Sequence, residues 1–253
     1  MIDIILSFFS NLTQEEIAWV IFCAMGAGMA KTGLFGVGTF VVPILATILG
    51  SKSSTGFLLP ILIIADVFGV LYYKKYAKWD YLIKLFPATA LGVFFGIYVG
   101  DLIDPVGFKY LLVSLIVIGL GLMLLKEWKS DFVIPNYTWL AWVVGFFGGF
   151  VTMIANAAGP IMAIYLISMG LPKNVFIGTA AWFFLIVNTF KVPFHVIFWE
   201  TIDLNSFVVN LSLAPAIVLG AFIGVKVVRL LPEKPFRIFA YISIALATLK
   251  MLV

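Results

Sequence analysis

The sequence has few residues that could serve catalysis, metal binding or covalent cross-linking. Among 253 residues there is one cysteine, Cys23, and one histidine, His195. A single cysteine cannot form an intramolecular disulfide, and one cysteine with one histidine does not supply the ligand set of a zinc site. We therefore exclude disulfide and zinc chemistry and expect no cofactor.

Charged residues are also scarce, at 11% of the chain, whereas 63% of the residues are hydrophobic and the mean hydropathy is +1.16. A typical soluble domain carries about 25% charged residues. Apolar segments of about 18 or more residues span a bilayer as helices, and such segments follow one another here. The strands of outer-membrane barrels are shorter, at about 10 residues, and alternate in polarity. The sequence therefore predicts an all-α integral membrane protein.

Glycine, asparagine and proline interrupt the apolar sequence near the start of each half, at 31–39 and at 155–160. A continuous helix is not expected through either interruption. We predict a broken or re-entrant helical hairpin around each one. The two hairpins cover 15–49 and 137–169. The continuous spans that follow them are 56–73, 82–100 and 108–125 in the first half, and 175–198, 207–228 and 236–252 in the second.

The second half repeats a pattern of the first, because residues 87–124 align without a gap on residues 215–252. Both segments contain the spacing P-x4-G-x3-G. Its residues are Pro87, Gly92 and Gly96 in the first copy, and Pro215, Gly220 and Gly224 in the second. We interpret this as an internal repeat, with one copy in 1–128 and the other in 129–253.

Lysine and arginine residues predict the orientation in the membrane. If the loop at 74–78 is cytoplasmic and each hairpin enters and leaves on one side, the basic cluster at 226–237 is also cytoplasmic. This arrangement satisfies the positive-inside rule in a bacterial-type plasma (inner) membrane, with both termini in the periplasm. The two halves then point in opposite directions, as inverted-topology repeats. The first 16 residues lack a basic segment before the apolar run, so we expect no cleaved signal peptide.

Inverted repeats commonly place a substrate site near the membrane midplane, where broken helices meet. The N-terminus of a half-helix presents free N–H groups and a partial positive charge, which suit an oxyanion. We predict that the two breaks bind such an anion, and close packing of helices through small residues is the alternative. The candidate residues at the breaks are Gly33, Gly36, Gly38, Thr39, Asn156, Ala157, Ala158 and Gly159.

Two ionisable residues fall at or within the first predicted segments. Lys31 stands at the first break and is a candidate anion-binding residue, with snorkelling toward the interface as the alternative. Asp66 lies inside the span 56–73, where a carboxylate costs about 2.5–3.5 kcal/mol on insertion scales. It could carry a coupling proton, and a structural ion pair is the alternative. Asn188 and Lys191 hold comparable positions in the second half and are weaker candidates.

His195 lies near the end of its predicted span, where we expect an interfacial residue beside Trp199. Titration near neutral pH could also make this histidine a proton sensor.

Four segments resemble the sulfite exporter TauE/SafE family: the glycine-rich run 33–43, and the runs 157–165, 169–174 and 178–182. The resemblance covers nearly the whole chain. It implies a secondary transporter that exports sulfite, a sulfonate or a related small sulfur anion. Its partners would be that anion, membrane lipid and protons, with no nucleic acid.

Two other classes remain as alternatives. A membrane-embedded enzyme would need catalytic groups that this sequence has in small number. A non-transporting membrane subunit would be expected to carry an extramembrane domain. We expect no enzymatic activity, and the sequence has no G-x4-G-K-[ST] loop for intrinsic ATP hydrolysis.

Overall fold

The computed structural model describes residues 1–99, 102, 137–236, 238, 239 and 242, with backbone only for 35, 36, 39 and 51. In this part of the chain the regular structure is helical, without strands, which confirms the predicted helical class. The helices are α1 (Ile2–Ser10), α2 (Gln14–Lys31), α3 (Phe35–Leu49), α4 (Ser51–Tyr73), α5 (Trp79–Val99), α6 (Thr138–Ala155), α7 (Gly159–Ser168), α8 (Lys173–Ile197), α9 (Leu204–Ser212) and α10 (Ala214–Leu230). A short 3-10 turn, Lys74–Tyr76, follows α4.

The described residues contain four helical segments long and apolar enough to cross a membrane. They are Lys52–Tyr76, Trp79–Val99, Thr138–Ala155 and Lys173–Ile197. The pair α9 and α10 would add a fifth, although it is bent by 50°. Length and composition thus support a multi-pass membrane protein. The predicted span 108–125 and the repeat boundary at 128/129 lie outside the described residues, as does most of the predicted span 236–252.

Two features near the predicted spans differ from expectation. The continuous span expected at 207–228 is the bent pair α9 and α10. Pro215 stands in the first turn of α10, where its missing N–H breaks no helical hydrogen bond. A proline at this position cannot continue the preceding helix α9. The helix α1 at the N-terminus was not predicted from the sequence.

The first break separates α2 from α3 at residues 32–34. Gly33 has φ of 124°, a conformation that glycine adopts without steric cost. The Gly33 N–H donates to the Ala30 carbonyl, and the Leu34 N–H donates to the Met29 carbonyl. These two bonds form a Schellman motif, which ends α2 and satisfies its last carbonyl groups.

The second break separates α6 from α7. Asn156 ends α6 in the left-handed conformation, with φ of 51°, and its N–H donates to the Thr152 carbonyl. Asparagine tolerates this region better than most residues. Pro160 stands in the first turn of α7, which is preorganised for a helix start.

The chain divides into two compact units. Unit 1 comprises Met1–Tyr72 and Phe184–Leu230, and unit 2 comprises Tyr73–Phe183 and Leu231–Val253. Each unit therefore contains segments from both halves of the sequence.

In unit 2, α5 packs along α6 with their backbones in contact. A Cβ atom added to Gly92 would overlap the Phe146 carbonyl oxygen, and one added to Gly149 would overlap the carbonyl oxygen of Thr89. Glycine on both helices therefore permits the close approach, as small residues do between membrane helices.

In unit 1, α10 packs along α2 in the same manner. A Cβ atom on Gly220 would overlap the Met25 carbonyl oxygen, and one on Gly28 would overlap the Ile217 carbonyl oxygen. Gly220 is the repeat counterpart of Gly92. Glycines at matching positions of the two P-x4-G-x3-G segments thus make equivalent contacts, each with the helix that precedes a break.

Candidate functional site

A buried ion pair joins the first break to α4. The Nζ atom of Lys31, the last residue of α2, lies 3.0 Å from Oδ1 of Asp66. The Lys31 side chain is 10% exposed and the Asp66 side chain is fully buried. Lys31 therefore does not snorkel toward an interface. The structural ion pair, which the sequence left as the alternative for Asp66, is present. The position of Lys31 at a helix C-terminus also favours its positive charge.

The second carboxylate oxygen of Asp66 accepts a hydrogen bond from α8. The Nδ2 atom of Asn188 donates to Oδ2 of Asp66 at 2.6 Å, and Asn188 is buried. A buried carboxylate costs several kcal/mol unless it is both paired and hydrogen-bonded. Lys31 and Asn188 meet these two requirements from different helices.

One face of α8 contacts this ion pair through Phe184 and Asn188. Its residues are spaced 4, 3 and 4 positions apart, which places them on one side of a helix. They are Phe184, Asn188, Lys191 and His195.

Two further interactions on this face involve the ion pair. The Nζ atom of Lys31 lies 3.7 Å from the centroid of the Phe184 ring, a cation–π contact. Lys191 is fully buried and interacts electrostatically with both Lys31 and Asp66. We call the set Lys31, Asp66, Asn188 and Lys191 the charged cluster.

His195 is buried within the protein, and it lies beside Trp199 as expected. Its Nδ1 atom lies 2.8 Å from the Thr201 hydroxyl oxygen, and its ring lies 5.1 Å from that of Trp199. The segment after α8 folds back over the end of the helix, since the Thr201 N–H donates to the His195 carbonyl. The burial follows from this local turn, which the sequence pattern did not reveal.

At the first break, the predicted site residues have different roles. Gly33 ends α2, and its N–H is bound to a backbone carbonyl. Gly38 faces α2, since an added Cβ atom would lie 3.1 Å from the Cβ of Ala30. Gly36 and Thr39 belong to the first turns of α3, and their side-chain environments lie outside the described parts of the structure.

At the second break, Asn156, Ala157, Ala158 and Gly159 lie in sequence between α6 and the first turn of α7. Ala158 is the N-cap of α7 and is fully buried. Apart from its chain neighbours and the backbone of its own helix, no described atom lies within 4 Å of a Cβ atom added to Gly159. Helix packing within the described part of the chain therefore does not account for glycine at this position.

The model of the sulfite exporter TauE/SafE family matches residues 20–251, which include both breaks and the whole charged cluster. The chain belongs to the sulfite exporter TauE/SafE family. This is a family of membrane transporters, which agrees with the candidate spans. No curated protein and no solved structure matches the chain.

In this member of the TauE/SafE family, unit 1 brings together two predicted site residues, Lys31 and Asp66, with two that the sequence ranked below them, Asn188 and Lys191. The sequence signal that could have identified Asn188 and Lys191 as site residues is the 4-3-4 spacing on α8. An ionisable residue within a membrane span marks a substrate or ion pathway in many transporters. The charged cluster is therefore the candidate functional site of unit 1.

Proposed function

We propose that this chain is a secondary transporter that exports sulfite or a related small organosulfur anion, such as a sulfonate, across a bacterial plasma membrane. The observation that carries the proposal is the buried Lys31–Asp66 pair beside a helix break, in a chain of the sulfite exporter TauE/SafE family. A cation held at membrane depth next to freed backbone groups suits a small oxyanion.

We place the substrate site at the two helix breaks, near the membrane midplane. The N-terminal turn of α3, with Gly36, Gly38 and Thr39, and that of α7, with Gly159, supply backbone N–H groups. The open space around Gly159 among the described residues supports this assignment, because a substrate oxygen needs close access to the backbone.

Asp66 is the coupling residue in this proposal. The anion and the Asp66 carboxylate compete for the same Lys31 ammonium group, whose Nζ lies 3.0 Å from Oδ1. Protonation of Asp66 releases Lys31 to the anion, and anion binding in turn favours protonation, since linkage is reciprocal. One proton would travel with one singly charged anion without net charge, so the anion gradient and the pH gradient together set the direction of transport.

Counterflow in proteoliposomes tests the transport assignment. Liposomes with purified protein, preloaded with unlabelled sulfite, are expected to take up labelled sulfite transiently and saturably. Sulfoacetate and thiosulfate, tested in the same way, define the substrate class, and protein-free liposomes are the control. Absence of exchange with all three anions would refute the proposal.

The substitution Asp66→Asn tests the coupling assignment. The neutral amide resembles the protonated carboxyl group, so the variant is expected to keep sulfite exchange but to lose accumulation driven by a pH gradient. Asp203→Asn, at an exposed helix N-cap, is the matched control and should behave as the wild type. If Asp66→Asn still accumulates sulfite in response to the gradient, Asp66 has only a structural role.

A further inference from the structure

The short loop 199–202, which follows α8, covers the end of that helix. Trp199 and Ile202 are each 9% exposed, and His195, in the last turn of α8, is fully buried beneath them. The Thr201 N–H donates to the His195 carbonyl, and the Thr201 hydroxyl oxygen lies 2.8 Å from Nδ1 of His195. The loop is therefore fastened to the last turn of α8.

The loop 199–202 also contacts α4, the helix that bears Asp66. A Cβ atom added to Gly56 would overlap the Cβ atom and the carbonyl oxygen of Thr201, so glycine permits this close approach. The Nζ atom of Lys52, in the first turn of α4, lies 5.5 Å from the centroid of the Trp199 ring. The loop thus joins the start of α4 to the end of α8, within unit 1.

The same two helices are joined a second time at the charged cluster, where Asn188 of α8 donates to Asp66 of α4. Gly56 precedes Asp66 by ten positions, and His195 follows Asn188 by seven. At a rise of 1.5 Å per residue, these separations correspond to about 15 Å and about 10 Å along the helices. The loop 199–202 therefore closes the space between α4 and α8 on one side of the cluster.

The closed position of the loop is held by contacts but also carries a cost in free energy. Glu200 has φ of 50°, in the left-handed region that is uncommon for residues other than glycine, asparagine and aspartate. Nε1 of Trp199 and Nε2 of His195 are buried and have no hydrogen-bond partner among the described residues. Water would supply those partners if the loop moved away. Strain and unpaired polar atoms thus favour opening, as is common in segments that switch between two positions.

We propose that the loop 199–202 is the gate at this end of the transport pathway, and that it moves away from α4 to release the anion from the charged cluster. In the orientation predicted from the basic residues, this end of α8 faces the periplasm, so the loop controls exit from the cell. Movement of a short loop over a buried site is a common means of controlling access. The assignment rests on the proposed transport function and specifies the segment that must move.

His195 is the single histidine of the chain and can report opening of the loop in the wild type. Diethylpyrocarbonate modifies accessible imidazole rings, and mass spectrometry of peptides quantifies the product. In proteoliposomes that exchange sulfite, His195 is expected to be modified, at a rate at least 10-fold lower than in the unfolded protein. Absence of modification during continued exchange would overturn the proposal, because a loop that stays closed cannot serve as a gate.

A disulfide between the loop and α4 tests whether opening is required for transport. The pair Gly56→Cys/Thr201→Cys, with Cys23→Ala, needs only a small shift of the loop to reach the Cβ separation of about 3.8 Å in a disulfide. Oxidation is expected to lower both sulfite exchange and His195 modification at least 10-fold, and reduction should restore both. Unchanged exchange by the oxidised pair, with the disulfide verified by mass, would overturn the proposal.

A second disulfide pair, placed between α5 and α6, is the matched control. A Cβ atom added to Gly145 would lie 3.2 Å from the Cβ atom of Ala88, on helices that pack backbone to backbone. Oxidation of Ala88→Cys/Gly145→Cys, with Cys23→Ala, should leave sulfite exchange unchanged. An equal loss of exchange on oxidation of both pairs would overturn the assignment of the gate to the loop 199–202.

The proposed function and this inference can fail separately. If wild type exchanges none of the tested anions, the transport function is refuted, and with it the role of the loop. If wild type and the oxidised pair Gly56→Cys/Thr201→Cys exchange sulfite at the same rate, only the gate is refuted.

Discussion

The two helix breaks share a scaffold but differ in charge. The helix before each break packs closely through a glycine, Gly28 in α2 and Gly149 in α6, against a helix that contains P-x4-G-x3-G. These two glycines are 121 positions apart, so the packing contacts of the first break recur at the second. The scaffold of the two regions is therefore repeated.

The charged residues are not repeated. At the same spacing of 121 positions, Thr152 corresponds to Lys31 and Val187 corresponds to Asp66. The first break thus has a buried ion pair beside it, whereas the corresponding positions of the second hold a hydroxyl and an apolar side chain. The glycine contacts thus recur at the second break, whereas the Lys31–Asp66 ion pair lies in unit 1.

The largest loss of stability is expected when the positive charge at the first break is removed. Lys31→Met leaves the Asp66 carboxylate buried without its cation, which should cost about 3–5 kcal/mol of unfolding free energy. The matched change at the second break, Thr152→Val, removes only a hydroxyl group and should cost about 1 kcal/mol. Thermal unfolding in detergent measures both.

The double variant Lys31→Met/Asp66→Leu serves as the control for that prediction. It removes both charges of the ion pair, while Lys191 stays in place, and should recover part of the stability lost in Lys31→Met. Equal losses in Lys31→Met and Thr152→Val would show that charge does not distinguish the two breaks.

The next largest loss of stability is expected when the close helix contacts at the two breaks are disturbed. Gly28→Ala and Gly149→Ala each place a methyl group against a carbonyl oxygen of the neighbouring helix, and each should destabilise by about 1–3 kcal/mol or more. Gly148→Ala, next to Gly149, is the control, because its Cβ would lie 3.9 Å from Sδ of Met162. A cost at Gly149 without one at Gly28 would mean that the two scaffolds are not equivalent.

At the start of α7 we expect a small effect on stability and a large effect on transport. Outside its own helix and chain neighbours, a Cβ atom at Gly159 meets no described atom, so Gly159→Leu should change the free energy of unfolding by only about 0.5 kcal/mol. The added side chain would cover the N–H groups of the first turn, and sulfite exchange should fall at least 10-fold. Unchanged exchange would remove the second break from the substrate site.

A local effect, independent of both breaks, is expected at an aspartate outside the buried cluster. Asp203 caps α9, where its carboxylate accepts a hydrogen bond from the Ser206 N–H at 2.7 Å. This bond lowers the pKa of Asp203 below its usual value. Asp203→Ala should therefore cost about 1 kcal/mol, and Asp203→Asn less.

The pH dependence of this cap follows from the direction of the pKa shift. A lowered pKa in the folded state means that the stabilisation is present above the unfolded pKa, about 3.9, and is lost as the pH falls through the folded value. The unfolding temperatures of wild type and Asp203→Ala should therefore converge at a pH below the folded-state pKa of Asp203. A difference that persists unchanged in acid would show that the carboxylate charge does not contribute.

The helical class and the two breaks could be predicted because their causes are local. Long apolar segments specify helices in a membrane, and glycine, asparagine and proline interrupt them. Gly33 and Asn156 adopt the left-handed conformations that end α2 and α6, in keeping with their residue types. The inverted orientation of the two repeats stays a prediction.

The sequence by itself determined the membrane class, the family and the positions of the helix breaks, because composition and short motifs act within a few residues. Only the tertiary structure decided which charges meet. Lys31 and Asp66 lie on different helices, and Asn188 is 122 positions from Asp66 along the chain. Removing a charge from water costs free energy unless nearby partners compensate it. The packing of helices that are distant in the sequence brings those partners within 3 Å of the Asp66 carboxylate.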